Sequence, residues 1–263
     1  ASCVGMHRYG GIWQGDNKSY WAHLLMNLKM TASLNMCGFI YTGADLGGFG
    51  SDTTEDLVMR WYALGVFLPL MRNHSEMGTR LQEVYRFTDL EGFKNIIGLR
   101  YRLLPYIYSE YMKAVLRGDL MFRPLAFDHP DDARCRTIED QLYLGDELMI
   151  APVYEQNARG RYVYLPERMK MLRYTRDGVF NEKILEKGDH YVEVGLSDVV
   201  FFLREGHAIP LASGGQCVDE VDFDKLTILT FGDDAVYEYY HDDGVSKNYE
   251  DSGNWRALSA CKE

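Results

Sequence analysis

Asp16, Asp45 and His74 are the residues whose types and spacing could do chemistry. Carboxylates and imidazoles are the side chains of general acid–base work. Each of the three follows a short run of strand-like character. Asp16 follows Gly11-Ile12-Trp13-Gln14-Gly15, Asp45 follows Phe39 to Ala44, and His74 follows Phe67 to Asn73. Both intervals are 29 residues, about one βα unit each. In a parallel barrel the C-terminal strand ends form the active-site face. Equal spacing therefore predicts three side chains at one height on neighbouring strands. It supports a convergent polar site without naming a reaction.

Taken singly, each residue has a plainer reading. Asp16-Asn17 reads as a turn and helix entry, Asp45 before Leu46-Gly47-Gly48 as turn chemistry, and His74 as a loop residue. The repeated spacing is what favours a site. Other chemistries fit less well. Gly43-Ala44-Asp45-Leu46-Gly47-Gly48 is not a dinucleotide fingerprint, and Walker, HExxH and GxSxG patterns are absent. Asp45 and Asp52 around Gly48 and Gly50 match no defined calcium loop. The seven histidines are scattered, so neither metal nor cofactor is expected.

The elements that must carry these residues alternate. Trp21, Leu24, Leu25, Leu28, Ala32 and Leu34 follow a helical period, with Ser19 as the expected N-cap. Met36 to Thr42 and Val66 to Met71 read as short strands. Thr53 with Asp56 resembles a capping box opening a helix through Trp61. Steps of three and four from Leu90 to Val115 mark a long helix over 89–117, which Pro105 should kink or split. Beyond residue 120 the pattern becomes all-β. Strands are expected at 147–154, 161–165, 190–194, 199–203, 225–231 and 235–240, with a linker at Gly214-Gly215. The predicted class is multidomain α/β plus all-β, divided 1–120, 121–214 and 215–263.

The chain has 263 residues, 46% hydrophobic and 25% charged, enough for a sizeable core and too apolar for disorder. A formal net charge of −11 and the lack of a basic stripe argue against nucleic acid and anionic membranes as partners. Apolar runs are too short to span a bilayer, and no signal peptide pattern is present. Cys3, Cys37, Cys135, Cys217 and Cys261 are odd in number and widely spaced, which suits free thiols and a cytoplasmic location. Aromatic residues make up 13%, suited equally to sugar faces and β cores.

One resemblance runs along nearly the whole chain. Arg8-Tyr9-Gly10-Gly11-Ile12-Trp13-Gln14-Gly15-Asp16-Asn17 resembles the acid/base segment of glycoside hydrolase family 31. Asp45-Leu46-Gly47-Gly48-Phe49 resembles its DIGGF segment, and Phe67-Leu68-Pro69-Leu70-Met71-Arg72-Asn73-His74 its last barrel strand. Arg123-Pro124-Leu125, Gly145, Ala151-Pro152-Val153, Tyr164-Leu165-Pro166, Phe202 to Gly206, Ile209-Pro210 and Asp242-Asp243-Gly244 continue the series in order. The resemblance implies the C-terminal part of a (β/α)8 TIM barrel, its last three strands, followed by β-sandwich domains.

It also implies a retaining, exo-acting α-glucosidase that removes terminal α-linked glucose from oligosaccharides. Asp16 matches the general acid/base, and it must start protonated to serve as acid. Trp13, Asp45, Phe49, Arg72 and His74 match substrate-binding positions. The family's nucleophile lies in a Trp-x-Asp-Met-Asn-Glu-like stretch, and this chain contains no such stretch. The chain alone should be inactive, completed by the upstream part of the same enzyme or a second copy. Ile12, Phe39, Tyr41, Phe67 and Leu70 are expected on the uncovered inner face. An α-xylosidase, an α-galactosidase or a non-catalytic carbohydrate-binding fragment remain alternatives.

Overall fold

The computed structural model of the protein describes residues 3–259. The first part alternates short strands and long helices: β1 (Ile12–Trp13), α1 (Trp21–Met36), β2 (Thr42–Gly43), α2 (Glu55–Gly65) and α3 (Leu90–Arg117). β1 and β2 pair in parallel, Ile12 opposite Thr42 and Trp13 opposite Gly43. Leu24, Leu28 and Ala32 recur every four residues and bury one face of α1. Four expectations move here. Tyr20, not Ser19, is the N-cap of α1, because the Ser19 hydroxyl donates to Gly50 O at 3.2 Å and Ser51 O at 3.1 Å instead. Met36 belongs to α1, so the strand expected from it shrinks to β2. Thr54 is the N-cap of α2, its hydroxyl bonded to Asp56, in place of a box on Thr53. α3 is one helix of 28 residues despite Pro105, and Ser109 Oγ donates to Pro105 O at 2.7 Å.

Val66 to Met71 forms no strand. The half-buried Arg100 on α3 donates through its guanidinium to Val66 O at 3.0 Å, Leu68 O at 2.7 Å and Pro69 O at 3.1 Å. Those carbonyls bond to a side chain in place of a ladder. Phe67 is buried, with its ring edge-on to Phe201 at 5.5 Å between centroids. It therefore faces the β core, not an uncovered interior. Tyr41 is 44% exposed, and Ile12, Phe39 and Leu70 are half-buried.

The second part holds β3 (Phe122–Pro124), α4 (Leu125–Asp128), β4 (Leu142–Leu144), β5 (Leu148–Ile150), β6 (Gly160–Leu165), β7 (Met169–Tyr174), β8 (Phe180–Leu185), β9 (Gly188–Glu193) and β10 (Val199–Arg204). Six strands form one sheet in the order β3-β4-β5-β10-β7-β8, and β6 pairs with β9. Side chains alternate between the sheet's two faces. Leu142, Leu144, Leu148, Ile150, Leu172, Phe201 and Leu203 join a core with α1, α2 and α3. Tyr143, Met149, Met171, Val200 and Phe202 join a second core with Val163, Leu165 and Val192 of the β6–β9 pair. The sheet is thus buried on both faces except at its edge strand β8, whose side chains are exposed or half-buried. Arg60 of α2 adds a polar stitch, donating to Ala158 O at 3.1 Å, Val194 O at 2.9 Å and Gly195 O at 2.9 Å.

The last strands are β11 (His207–Leu211), β12 (Thr227–Phe231), β13 (Val236–Tyr240) and β14 (Trp255–Ser259). β11 pairs with β12, and β13 with β14. Gly214 and Gly215 sit in the connection between paired β11 and β12, so strand pairing crosses residue 214. α3 packs against both β11 and β13. Cys3, Cys37, Cys135 and Cys217 are free thiols, and Cys261 lies outside the described residues. Among the described residues, no helix is long and apolar enough to cross a membrane.

Where α3, the β4–β5 turn and β13 meet, two carboxylates share one lysine. Lys113 Nζ lies 2.6 Å from Glu110 Oε1 and 3.7 Å from Glu147 Oε1. Tyr237 Oη donates to Glu110 at 2.8 Å, and Tyr106 Oη to Glu147 at 3.0 Å. Burial, with the Glu147 charge beside it, pushes the Glu110 carboxyl up to about 7. A carboxyl raised above its unfolded value of about 4.3 binds its proton more tightly in the fold. Its contribution to stability is therefore complete below about pH 4.3 and is lost as pH rises through about 7. Glu110→Gln removes this titration and leaves position 110 neutral at every pH. Its melting temperature relative to wild type should rise from pH 5 to pH 8; a difference independent of pH would contradict this account.

Candidate active site

Three strand-end segments lie side by side in parallel. Beyond the β1–β2 pairs, bridges join Lys18 to Gly50 and Asp45 to Arg72. Asp45 stands level with Arg72, so equal spacing along the chain does not put His74 at its height. The segments differ in how they bend after the strand, which sequence spacing alone does not carry.

The loop from β1 to α1 carries Trp13 at its base and Asp16 at its tip. Trp13 is 41% exposed, and Asp16 is exposed. Asn17 beneath it is buried. Its Nδ2 donates to Asn27 Oδ1 on α1 at 2.8 Å and to Asp45 O at 3.0 Å, and its Oδ1 accepts the Phe49 N–H at 2.8 Å. The loop from β2 to α2 runs against this one so closely that Gly48 admits no side chain. Its φ is +96°, and a Cβ there would lie 2.3 Å from Ser19 N.

Asp45 is fully buried, and its Oδ1 accepts from Arg72 Nε at 2.6 Å. Its Oδ2 is buried with no hydrogen-bond partner. The Arg72 side chain is 41% exposed, so the pair reaches from the core to the surface. Phe49 stacks on His74, centroids 5.3 Å apart at 30° between planes. Gln82 ties these loops from below, its Nε2 reaching Gly48 O at 3.1 Å and His74 O at 3.3 Å. The structure thus joins Asp45 to Arg72 and Phe49 to His74, and links both pairs to the Asp16 loop through Asn17. Among the described residues, no group of three or more His, Cys, Asp or Glu side chains is placed to hold a metal ion.

Asn17, Asn27, Thr31 and Gln82 are the residues the sequence reading did not single out. A signal was present: Asn27, Thr31 and Asn35 repeat every four residues and are buried, Asn27 and Thr31 each one position before Leu28 and Ala32 of the apolar stripe. Polar side chains recurring inside a buried face mark a hydrogen-bonded seam.

The buried Asp45 depends on its half-exposed partner. Arg72→Met strands a buried carboxylate, so it should destabilise the fold, by less than the about 3–5 kcal/mol of a fully buried pair because Arg72 is half-exposed. Adding Asp45→Asn should recover part of that loss. Urea unfolding of both variants checks this; a double variant no more stable than Arg72→Met would contradict it.

Comparison with known proteins meets this geometry. Residues 1–110 match the glycosyl hydrolases family 31 TIM-barrel domain, and residues 118–209 match the glycosyl hydrolase family 31 C-terminal domain. The chain is 33% identical over 256 residues to alpha-glucosidase 2 of Bacillus thermoamyloliquefaciens, covering 95% of this chain and 32% of that protein. It is 34% identical over 261 residues to lysosomal alpha-glucosidase of Mus musculus, covering 92% of this chain and 27% of that protein. It therefore spans about a third or less of the length of these relatives. Among solved structures it is similar to an ER glucosidase II heterodimeric complex of a catalytic subunit with the binding domain of its regulatory subunit. That match has TM-score 0.84 and 28% identity, covering 97% of this chain and 28% of that one. The alpha-xylosidase of Xanthomonas citri matches with TM-score 0.78 and 26% identity, covering 91% of this chain and 27% of that one. With both of the family's domains matched in order, and with the strand-end loops built as described, the chain belongs to glycoside hydrolase family 31.

Proposed function

We propose that this chain supplies the acid/base side of a retaining α-glucosidase acting on terminal α-linked glucose of oligosaccharides. The observation that carries the reading is Asp16: an exposed carboxylate on a loop braced against buried residues, beside the Asp45–Arg72 and Phe49–His74 pairs. The remaining strands of the (β/α)8 barrel, and the nucleophilic carboxylate, come from a polypeptide that packs on the uncovered side. Exposed Trp13 and Tyr41 and half-buried Ile12 and Leu70 support that packing. Glucose is favoured over xylose because the relatives matched at 33–34% identity are alpha-glucosidases.

In the first step Asp16 gives its proton to the glycosidic oxygen as the bond from that oxygen to the anomeric carbon breaks. The nucleophile bonds to the anomeric carbon on the opposite face, through an oxocarbenium-like transition state. In the second step the ionised Asp16 takes a proton from water, whose oxygen displaces the nucleophile. Arg72 donates to sugar hydroxyls from its exposed end. Asp45 holds the guanidinium through its Oδ1. Trp13 and Phe49 offer ring faces to the apolar side of the pyranose.

The test uses the assembled enzyme, meaning this chain together with the polypeptide completing the barrel. Asp16→Ala should lower kcat/KM by about 10²–10⁴-fold on an α-linked disaccharide. The loss on 4-nitrophenyl α-glucoside should be far smaller in the first step, because nitrophenolate leaves without a proton. Azide should partly restore turnover of that activated substrate, since an anion needs no general base. Equal losses on both substrates without azide rescue would remove Asp16 from this role.

A further inference from the structure

The loop that carries Asp16 is fastened on both sides of that residue to one face of α1. Gln14 Nε2 donates to Thr31 Oγ1 at 2.9 Å, and Asn17 Nδ2 donates to Asn27 Oδ1 at 2.8 Å. Asn27 and Thr31 are successive turns of the same buried seam, and Thr31 Oγ1 itself donates to Asn27 O at 2.9 Å. Between the anchors, Gly15 takes a left-handed φ of +84° and its carbonyl accepts the Asn17 N–H at 2.8 Å. The backbone is thereby turned tightly at 15–17, with Asp16 outermost. Gln14, Asn17, Asn27 and Thr31 are all buried, between 0% and 6% exposed.

Asn17 does more than anchor its own loop. Its second amide hydrogen bonds the carbonyl of Asp45, and its oxygen accepts the N–H of Phe49. The same Phe49 N–H also reaches Asn17 O at 3.1 Å, and Gly50 N donates to that oxygen at 3.0 Å. One buried amide thus adjoins Asp16 in sequence, Asp45 through its backbone, and Phe49 through its N–H. We propose that Asn17 is a positioning residue, which fixes the Asp16 carboxylate relative to the Asp45–Arg72 and Phe49–His74 pairs. The proposal rests on the reading of Asp16 as acid/base. Asn17 touches neither sugar nor reacting atoms. An amide is required there because two donors and one acceptor are used at once. A carboxylate offers no donor and a hydroxyl only one.

Misplacing a catalytic group by about 1 Å costs on the order of 10²-fold in rate. Proton transfer to the leaving oxygen is the step that depends on where Asp16 sits. In the assembled enzyme, Asn17→Ala should therefore lower kcat/KM about 10–100-fold on an α-linked disaccharide and less than about 3-fold on 4-nitrophenyl α-glucoside. In an Asp16→Ala background, Asn17→Ala should cost nothing further on the disaccharide, since residues acting as a unit are non-additive. Equal losses on both substrates, or a loss that adds to that of Asp16→Ala, would overturn the proposal and leave Asn17 as a structural residue. Should Asn17→Ala not fold, Asn27→Ala removes one acceptor only, and the same split at smaller size is expected, with its absence counting against the proposal. If Asp16→Ala itself shows no dependence on leaving group, the acid/base reading fails first, and that failure is distinct from additivity between the two sites.

Discussion

The hydrogen bonds of the Asn17 amide hold together loops that the strands beneath them cannot. β1 and β2 are two residues long each, and the third segment contributes one bridge at Arg72. A ladder that short fixes the start of a loop and nothing beyond it. Trp13, Asp45 and Arg72 sit on these pairs, and Asp16, Phe49 and His74 lie beyond them. Side chains therefore add to the few backbone bonds between the loops, Phe49 N and Gly50 N to Asn17 O and Glu76 N to Phe49 O, and they do so from buried positions where an unmet polar group is costly. Asn17 joins the first loop to the second, Gln82 joins the second to the third, and Arg72 closes on Asp45.

The same device attaches this part of the chain to the β-rich part. Arg60 of α2 gathers three carbonyls from the loops flanking β6 and β10, while within the first part Arg100 gathers three from the 66–69 segment onto α3. A guanidinium is suited to this because its donors form a fixed planar fork. Around these polar stitches the six-stranded sheet supplies the apolar cohesion. One of its faces belongs to the core of the helices, so the helices and the sheet are not separable layers. The reach of Phe67 to Phe201 is the clearest instance. A segment that looks from its pattern like a barrel strand has turned its largest ring outward into the neighbouring core.

Much of this was legible in the sequence, and the failures have physical causes. The helix over 89–117 and the strands near 161–165, 190–194 and 199–203 follow from periodicity and lie where expected. β8 was not legible because Asn181, Glu182 and Lys183 make it read as a polar loop; it is an edge strand, where charge is expected. β11 was masked by Pro210, which periodic patterns treat as a break. The site was legible in its residue types and in the resemblance, but its bracing was not. Asn17 reads as half of a turn dipeptide, and Gln82 lies in no element at all. Their roles depend on which loops meet in space, and that is set by tertiary packing, not by local pattern.

The decisive observation is the separation between the Asp16 carboxyl and the nucleophilic carboxyl in a crystal structure of the assembled enzyme. A retaining pair with Asp16 as acid/base requires about 5–5.5 Å across the anomeric centre, with Asp16 on the leaving-group side. A separation of about 6.5–9.5 Å would indicate inversion, and an Asp16 side chain turned away from the second carboxyl would assign the proton transfer to another residue.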